Sequence, residues 1–412
     1  MPALAVDPAR MLADLDRLRQ FGQQGTGVAR MAFSGADIAA RQWLAGRMEA
    51  AGLRAVVDAC GNLFGLPPGD GPCLLVGSHS DTQPLGGWLD GAWGVICGLE
   101  LARAACQAGG PRIAVVSFQE EEGRFGGLAG SAVWAGQMSL AEADAQRDAD
   151  GVSFGEARKA APAIAPFGTT APEDFLAFIE PHIEQGPVLD TAGQAIGIVE
   201  AIVGVRSWEL TFTGQANHAG TTPMGLRRDA VQALGQFIHE LNTVFAPLVA
   251  PDTVWTLGRI TVTPNAPSIV PGAASISVQM RDADPARLEA MKAAALDLAQ
   301  RIGAARGLGV DAVPGLSLEP VPMDIALAGA LAEGARLHAP GQWRRMPSGA
   351  LHDASNVALH LPTAMLFVPS IGGISHNPDE DTARAHLQTG LLVLAEAAGR
   401  IMAAPQHNQR NP

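Results

Sequence analysis

The stretch CLLVGSHSDTQPLGGWLDGAWGV, residues 73–95, joins an apolar run to a glycine-rich turn carrying one histidine and two aspartates. The run at 73–76 breaks at Gly77, and His79, Asp81 and Asp90 follow in the loop. Buried strands of open α/β sheets present polar residues at their carboxyl ends in this way. Just beyond it, residues 94–108 read as an apolar, alanine-rich helix. IAVVSF at 113–118 is a continuous apolar run that ends directly in Glu120, Glu121 and Glu122. Strand, helix and strand in that order predict a largely parallel sheet with crossover helices.

Outward from this core, residues 8–21 and 36–51 carry apolar positions at helical spacing, and Gly52 stops the second. Residues 53–58 and 62–66 read as short strands around Gly61. The segment 140–174 is rich in alanine, acids and proline, and predicts short helices and connections. An apolar run at 175–180 leads to His182, Glu184 and Gln185, and 194–203 alternates like a strand. Near Arg206 the character changes. Strand 208–213, helix 229–245, strands 256–264 and 274–281 and helix 284–302 predict an α+β insert on an antiparallel sheet. A helix at 325–338, a strand at 363–368 and a helix at 382–402 return to the first domain, and the last ten residues are expected to fray. The fold class is therefore α/β: a mixed, largely parallel sheet flanked by helices in 1–205 and 323–412, with an inserted α+β domain at 206–322.

Composition narrows the function. The chain has 412 residues, and 47% of them are apolar, enough for a substantial core and for two domains. Its formal charge is −13 without a Lys/Arg-rich run, which argues against nucleic acid as a partner. No basic segment precedes an apolar one at the N-terminus, and no apolar run reaches the roughly 18 residues that span a bilayer. The expectation is a soluble cytoplasmic protein with no membrane partner. Cys60, Cys73, Cys97 and Cys106 lack CxxC spacing, which predicts reduced thiols.

Three apolar strands each end shortly before possible ligands: His79 and Asp90, Glu121 and Glu122, and His376. Parallel strands share one carboxyl edge, so these groups can converge although distant in sequence. Imidazole and carboxylate without thiolate suit Zn²⁺, Mn²⁺ or a similar ion. Asp81 is placed to accept the second ring N–H of His79 and fix its tautomer. Asp90, between glycines, is a natural bridge for two ions about 3.5–4 Å apart. Of the adjacent acids, Glu122 is read as a ligand and Glu121 as the group that moves a proton. Each residue alone also has a plainer reading: His79 as a loop residue, the acids as a solvated run, His182 as a core histidine, His376 as a turn residue.

GSHSDT, GGWLDGAWGV, EEEGRF, HIEQGPVL, NHAGTTPMG, SIVPG, SGALHDA and GGISHNPDE, in this order, resemble the hydantoinase/carbamoylase branch of the M20 metallopeptidase-like amidases over residues 10–400. HIEQG with NHAGTTPM is particularly specific to that branch. The resemblance implies one metal on His79, Asp90 and His182, a second on Asp90, Glu122 and His376, and Glu121 as general base. It implies that the inserted domain is a dimerisation lid, so that the protein is a homodimer. His218 would reach the partner's site to stabilise the oxyanion. Arg281 would hold the substrate carboxylate, with Gln185, Ser268 and His352 as further pocket residues. Two divalent ions follow, Zn²⁺ or Mn²⁺, with Co²⁺ or Ni²⁺ as alternatives. Three positions depart from the family pattern: Gly123 is followed at once by Arg124, Ser268 stands where asparagine is common, and Leu351 replaces a glycine.

The activity this implies is hydrolysis of the ureido bond of an N-carbamoyl-L-amino acid, a small substrate bearing a carboxylate. Allantoate or ureidoglycolate amidohydrolase and β-ureidopropionase share every ligand. An M20 dipeptidase or aminoacylase is disfavoured by HIEQG, and a metal-binding protein without catalysis by the intact Glu121.

Overall fold

The structure, a computed structural model, describes residues 4–403. It divides into two compact units, one formed by the residues up to Glu200 with those from Met323 onward, the other by Ala201–Pro322.

The first unit is built on a mixed sheet. Starting from Ile196–Ile202, its order is Thr363–Val368, Ala177–Ile183, Leu74–His79, Ile113–Phe118, Leu63–Leu66 and Arg54–Val57. The four strands from Thr363–Val368 to Ile113–Phe118 are mutually parallel, and every residue in them is buried. Burial on both faces is why their sequences read as unbroken apolar runs. Ile196–Ile202 and Leu63–Leu66 close the parallel set with antiparallel pairings.

Leu74–His79 corrects the expectation of a break at Gly77. Gly77 pairs with Val116 and His79 with Phe118, so the strand runs on and His79 is its last residue. Likewise Ala177–Ile183 passes through Pro181 to include His182. Its ladder to Leu74–Val76 ends at Ile179, so the proline lies where that neighbour no longer needs its N–H.

Helices cover one face around a core that includes Leu15, Leu44, Trp93, Leu99, Leu331 and Leu391. Asp7 and Ser34 side chains cap helices Pro8–Arg19 and Gly35–Ala50. Phe64, Phe118, Trp134, Phe175 and Phe178 form an aromatic cluster elsewhere in the unit. Helix Ala92–Ala108 lies nearest the sheet. A side chain at Gly94 would start 2.2 Å from the Pro181 carbonyl oxygen, and one at Gly98 would start 2.6 Å from that of Val76. The four cysteines are unbridged. Among the described residues no helix is long and apolar enough to cross a membrane. Of the tail expected to fray, Ala403 closes helix Arg384–Ala403, and 404–412 lie outside the described residues.

The second unit is a four-stranded antiparallel sheet, ordered Val254–Thr263, Ala273–Asp282, Gly204–Thr213, Gly309–Leu318. Helices Ala230–Phe245 and Pro285–Arg306 bury Phe237, Phe245, Leu288 and Leu298 against Leu210, Phe212, Ile276 and Val278. Strict alternation in Ala273–Asp282 marks one covered face. The unit begins before Arg206 because Gly204–Thr213 pairs along its whole length with Ala273–Asp282. Gly309–Leu318 was not expected as a strand. Pro314 and Gly315 break its pattern, and both are tolerated because the strand is an edge with a register shift after Pro314.

Gly94→Val should destabilise the protein by about 3 kcal/mol, the upper end for overpacking, because a main-chain carbonyl cannot move aside. Thermal unfolding beside Gly46→Val, whose side chain would meet open space, checks this.

Candidate metal centre

The parallel strands deliver His79, Glu120–Glu122 and His182 to one edge, and the loop after Thr363–Val368 adds His376. His79 Nδ1 lies 3.1 Å from the Asp81 main-chain oxygen, and His182 Nδ1 lies 2.9 Å from that of Ile183. A carbonyl can only accept, so each Nδ1 is a donor, which fixes the ring and turns its Nε2 inward. Both Nε2 atoms are buried without a hydrogen-bond partner. They face Asp90 Oδ1, at 3.7 Å from His79 and 3.0 Å from His182, the latter without hydrogen-bond alignment.

Asp90 turns its other oxygen to a second set. His376 Nε2 is 3.3 Å from Oδ2 and 3.4 Å from Glu122 Oε2. Two triplets result, His79/Asp90/His182 and Asp90/Glu122/His376, each with its ligand atoms within 4.8 Å of one another. These donors fit divalent cations: orphaned imidazole nitrogens and carboxylates converge on a shared aspartate. Gly91 makes the approach possible, since a Cβ there would lie 2.4 Å from His79 Nε2. Its φ of 62° also suits glycine.

The electrostatics fit as well. Burial drives Glu121 well above the ordinary carboxyl range, with Glu122 adding to the shift and His79 opposing it. Burial and Asp90 push Glu122 up to about 7. Asp90 raises His376 to about 9 against its partial burial, with help from Glu122. Burial lowers His79, but Glu121, Asp81 and Asp90 outweigh it and hold the ring well above its usual value. So many acids in one buried place call for positive charge.

The remaining expected residues fall as follows. Glu121 Oε2 stands 3.6 Å from His79 Nε2. The Asp81 carboxylate is 3.6 Å from His79 Nδ1, farther than its own carbonyl, and accepts the main-chain N–H groups of Glu121 at 3.4 Å and Glu122 at 3.1 Å. Asp81 therefore shapes the acidic loop as well as facing the ring. Gln185 donates to Asp90 Oδ2 at 2.8 Å. His352 is enclosed: its Nε2 meets Ser348 Oγ at 3.0 Å, and its ring stands edge-on to His182 at 4.5 Å. Burial holds it well below the usual histidine range, hence neutral. Arg124 engages Asp148 and the Ala32 carbonyl.

His218, Ser268 and Arg281 belong to the second unit. Asn217–His218 pairs with Ile269–Val270, and the Ala219 N–H donates to the Ser268 carbonyl, so NHAG and SIVPG form one small ribbon. His218 Nδ1 accepts the N–H groups of Gly220 at 3.0 Å and Thr221 at 3.2 Å. Its proton is therefore on Nε2, which makes the ring an outward donor. Arg281, at the end of its strand, has Nε 3.2 Å from Gln279 Oε1.

Sequence reading missed Glu380, a buried carboxylate that accepts the N–H groups of Leu89 and Asp90 and the Ser375 hydroxyl. It clips the Asp90 loop to the His376 loop. Its place four residues after His376 was the only hint. Glu180, hydrogen-bonded to Ser78 and the Ala354 N–H, was missed too.

An open α/β sheet with imidazole and carboxylate groups clustered at its carboxyl edge makes a site suited to divalent metal ions. The chain belongs to the M20 peptidase family: residues 75–400 match the family described as Peptidase family M20/M25/M40. It is 38% identical to the allantoate amidohydrolase of Escherichia coli, with 92% of this chain and 94% of that protein covered. It is 34% identical to the N-carbamoyl-L-amino-acid amidohydrolase of Paenarthrobacter aurescens, over 93% and 96%. A crystal structure of a hydantoinase/carbamoylase family amidase from Burkholderia phymatum superposes with a TM-score of 0.91 at 46% identity, covering 98% of this chain and 99% of that one.

Without a cation His376 carries a proton at neutral pH, which an arriving ion must displace. Uptake of Mn²⁺ should release protons and weaken as the solution is acidified, measured by calorimetry in buffers of different ionisation enthalpy. Affinity that does not change with pH would contradict the imidazole ligands.

Proposed function

We propose that this hydrolase cleaves the ureido C–N bond of an N-carbamoyl-L-amino acid, releasing the amino acid, CO₂ and ammonia. The observation that carries the reading is Glu121, a nearly buried carboxyl 3.6 Å from His79 Nε2, beside two ligand triplets joined by Asp90. A chain that only bound metal would have no use for that extra acid. His79, Asp90 and His182 would hold one ion and Asp90, Glu122 and His376 the other. When bound, two divalent cations, Zn²⁺ or Mn²⁺ with Co²⁺ or Ni²⁺ as alternatives, would polarise the carbonyl and acidify water.

Glu121 takes the proton of the attacking water and returns it to the leaving nitrogen. His218, held with its proton outward by Gly220 and Thr221, donates to the developing oxyanion of a neighbouring subunit, in a homodimer formed through the second unit. Arg281 holds the substrate carboxylate through two parallel hydrogen bonds, with Gln185 and Ser268 as further substrate contacts. His352 supports the His182 ring from behind. A second reading, allantoate as substrate, is favoured by the 38% identity to the Escherichia coli allantoate amidohydrolase. A panel of N-carbamoyl-L-amino acids, N-carbamoyl-β-alanine, allantoate and dipeptides, assayed after Mn²⁺, Co²⁺ or Zn²⁺ reconstitution, separates the two. Silence on every ureido substrate would sink both.

Glu121→Gln should lower kcat by about 10²–10⁴-fold, the range for a general acid–base, with metal content unchanged by elemental analysis. Arg281→Ala should chiefly raise KM. An effect confined to kcat would remove its binding role.

A further inference from the structure

The side-chain amide of Gln83 donates to Glu122 Oε2 at 2.7 Å and to the Glu122 main-chain oxygen at 3.0 Å. The same Oε2 faces His376 Nε2 at 3.4 Å. Gln83 thus grips Glu122 at both ends, on the oxygen that belongs to the second triplet. Its own backbone is anchored through the preceding residue: Thr82 Oγ1 accepts the Arg30 N–H at 2.9 Å, and the Thr82 N–H donates to the Arg30 carbonyl at 3.0 Å. The side chain lines a cavity of about 290 Å³ whose wall also includes Glu122 and Arg124.

We propose that Gln83 is a positioning residue for the second cation, fixing the Glu122 carboxylate in the rotamer that points Oε2 at His376. This rests on the two-cation reading above. The chemistry of the amide matters. A lysine or arginine at this place would neutralise Glu122 and compete with an ion for it, whereas a neutral donor orients the carboxylate and leaves its charge intact. In the other triplet His79 and His182 are oriented by main-chain carbonyls, so loss of Gln83 should fall on one ion only.

The test is Mn²⁺ titration of the metal-free full chain, wild type beside Gln83→Leu and Gln83→Glu, read by calorimetry and elemental analysis. Wild type should bind two equivalents. Gln83→Leu should bind one of them about 10–100-fold more weakly, the usual cost of losing an outer-shell partner, and the other within twofold of wild type. Its metal-free melting temperature should be unchanged. Gln83→Glu replaces the donor with an acceptor of the same shape and should not restore two wild-type affinities. Two wild-type affinities in Gln83→Leu, or equal weakening of both, would overturn this role alone. Fewer than two equivalents in wild type would overturn the two-cation reading and this role with it.

Discussion

Asp90 has to face imidazoles on both sides while buried, and the first unit is arranged to permit that. A carboxylate removed from water is costly unless its charge is met. Here Oδ1 looks toward His79 and His182 and Oδ2 toward His376. Its main-chain N–H is held by Glu380, and the glycine after it gives the His79 ring room. The tight seating of helix Ala92–Ala108 on Pro181 and Val76 follows from the same need, because that helix starts two residues after Asp90. Small residues on its sheet face let the aspartate arrive at the depth of the histidines.

Much of the first unit was legible in the sequence because its central strands are buried on both faces. Ile113–Phe118 and Thr363–Val368 read as continuous apolar runs with the bounds they have. Gly77 and Pro181 hid the last residues of two others: at Gly77 the Val116 carbonyl of the neighbouring strand fills the space a side chain would take, and Pro181 sits beyond the end of the ladder to Leu74–Val76. The edges were less legible. Gly309–Leu318 and Trp343–Ser348 are half-exposed and contain proline, so neither burial nor propensity marks them. The α/β class, the M20 kinship and the hydrolase class were all readable, the last two through ordered motifs.

At the site, groups that act with their own side chains stood out as histidines and acids in glycine-rich loops. Groups that act by holding main-chain amides did not. Glu380 and the Asp81 carboxylate matter because N–H groups from elsewhere in the unit come to rest on them. Gln83 carries no charge and follows an apolar-to-polar turn, so nothing in its type announces a grip on Glu122. Such roles are properties of three-dimensional proximity, which spacing along a chain does not encode.

Thr363–Val368 lies between Ala177–Ile183 and Ile196–Ile202, so a late segment of the chain fills a gap between two early ones. On a ribosome the early strands emerge roughly 160 residues before it, a wait of about ten to thirty seconds at ordinary elongation rates. During that interval each presents an unpaired apolar margin of the kind that invites association with other chains. His376 comes later still. The nascent protein therefore keeps these margins open until its last quarter is made, and its yield in cells should depend on chaperone capacity more than the finished fold would suggest.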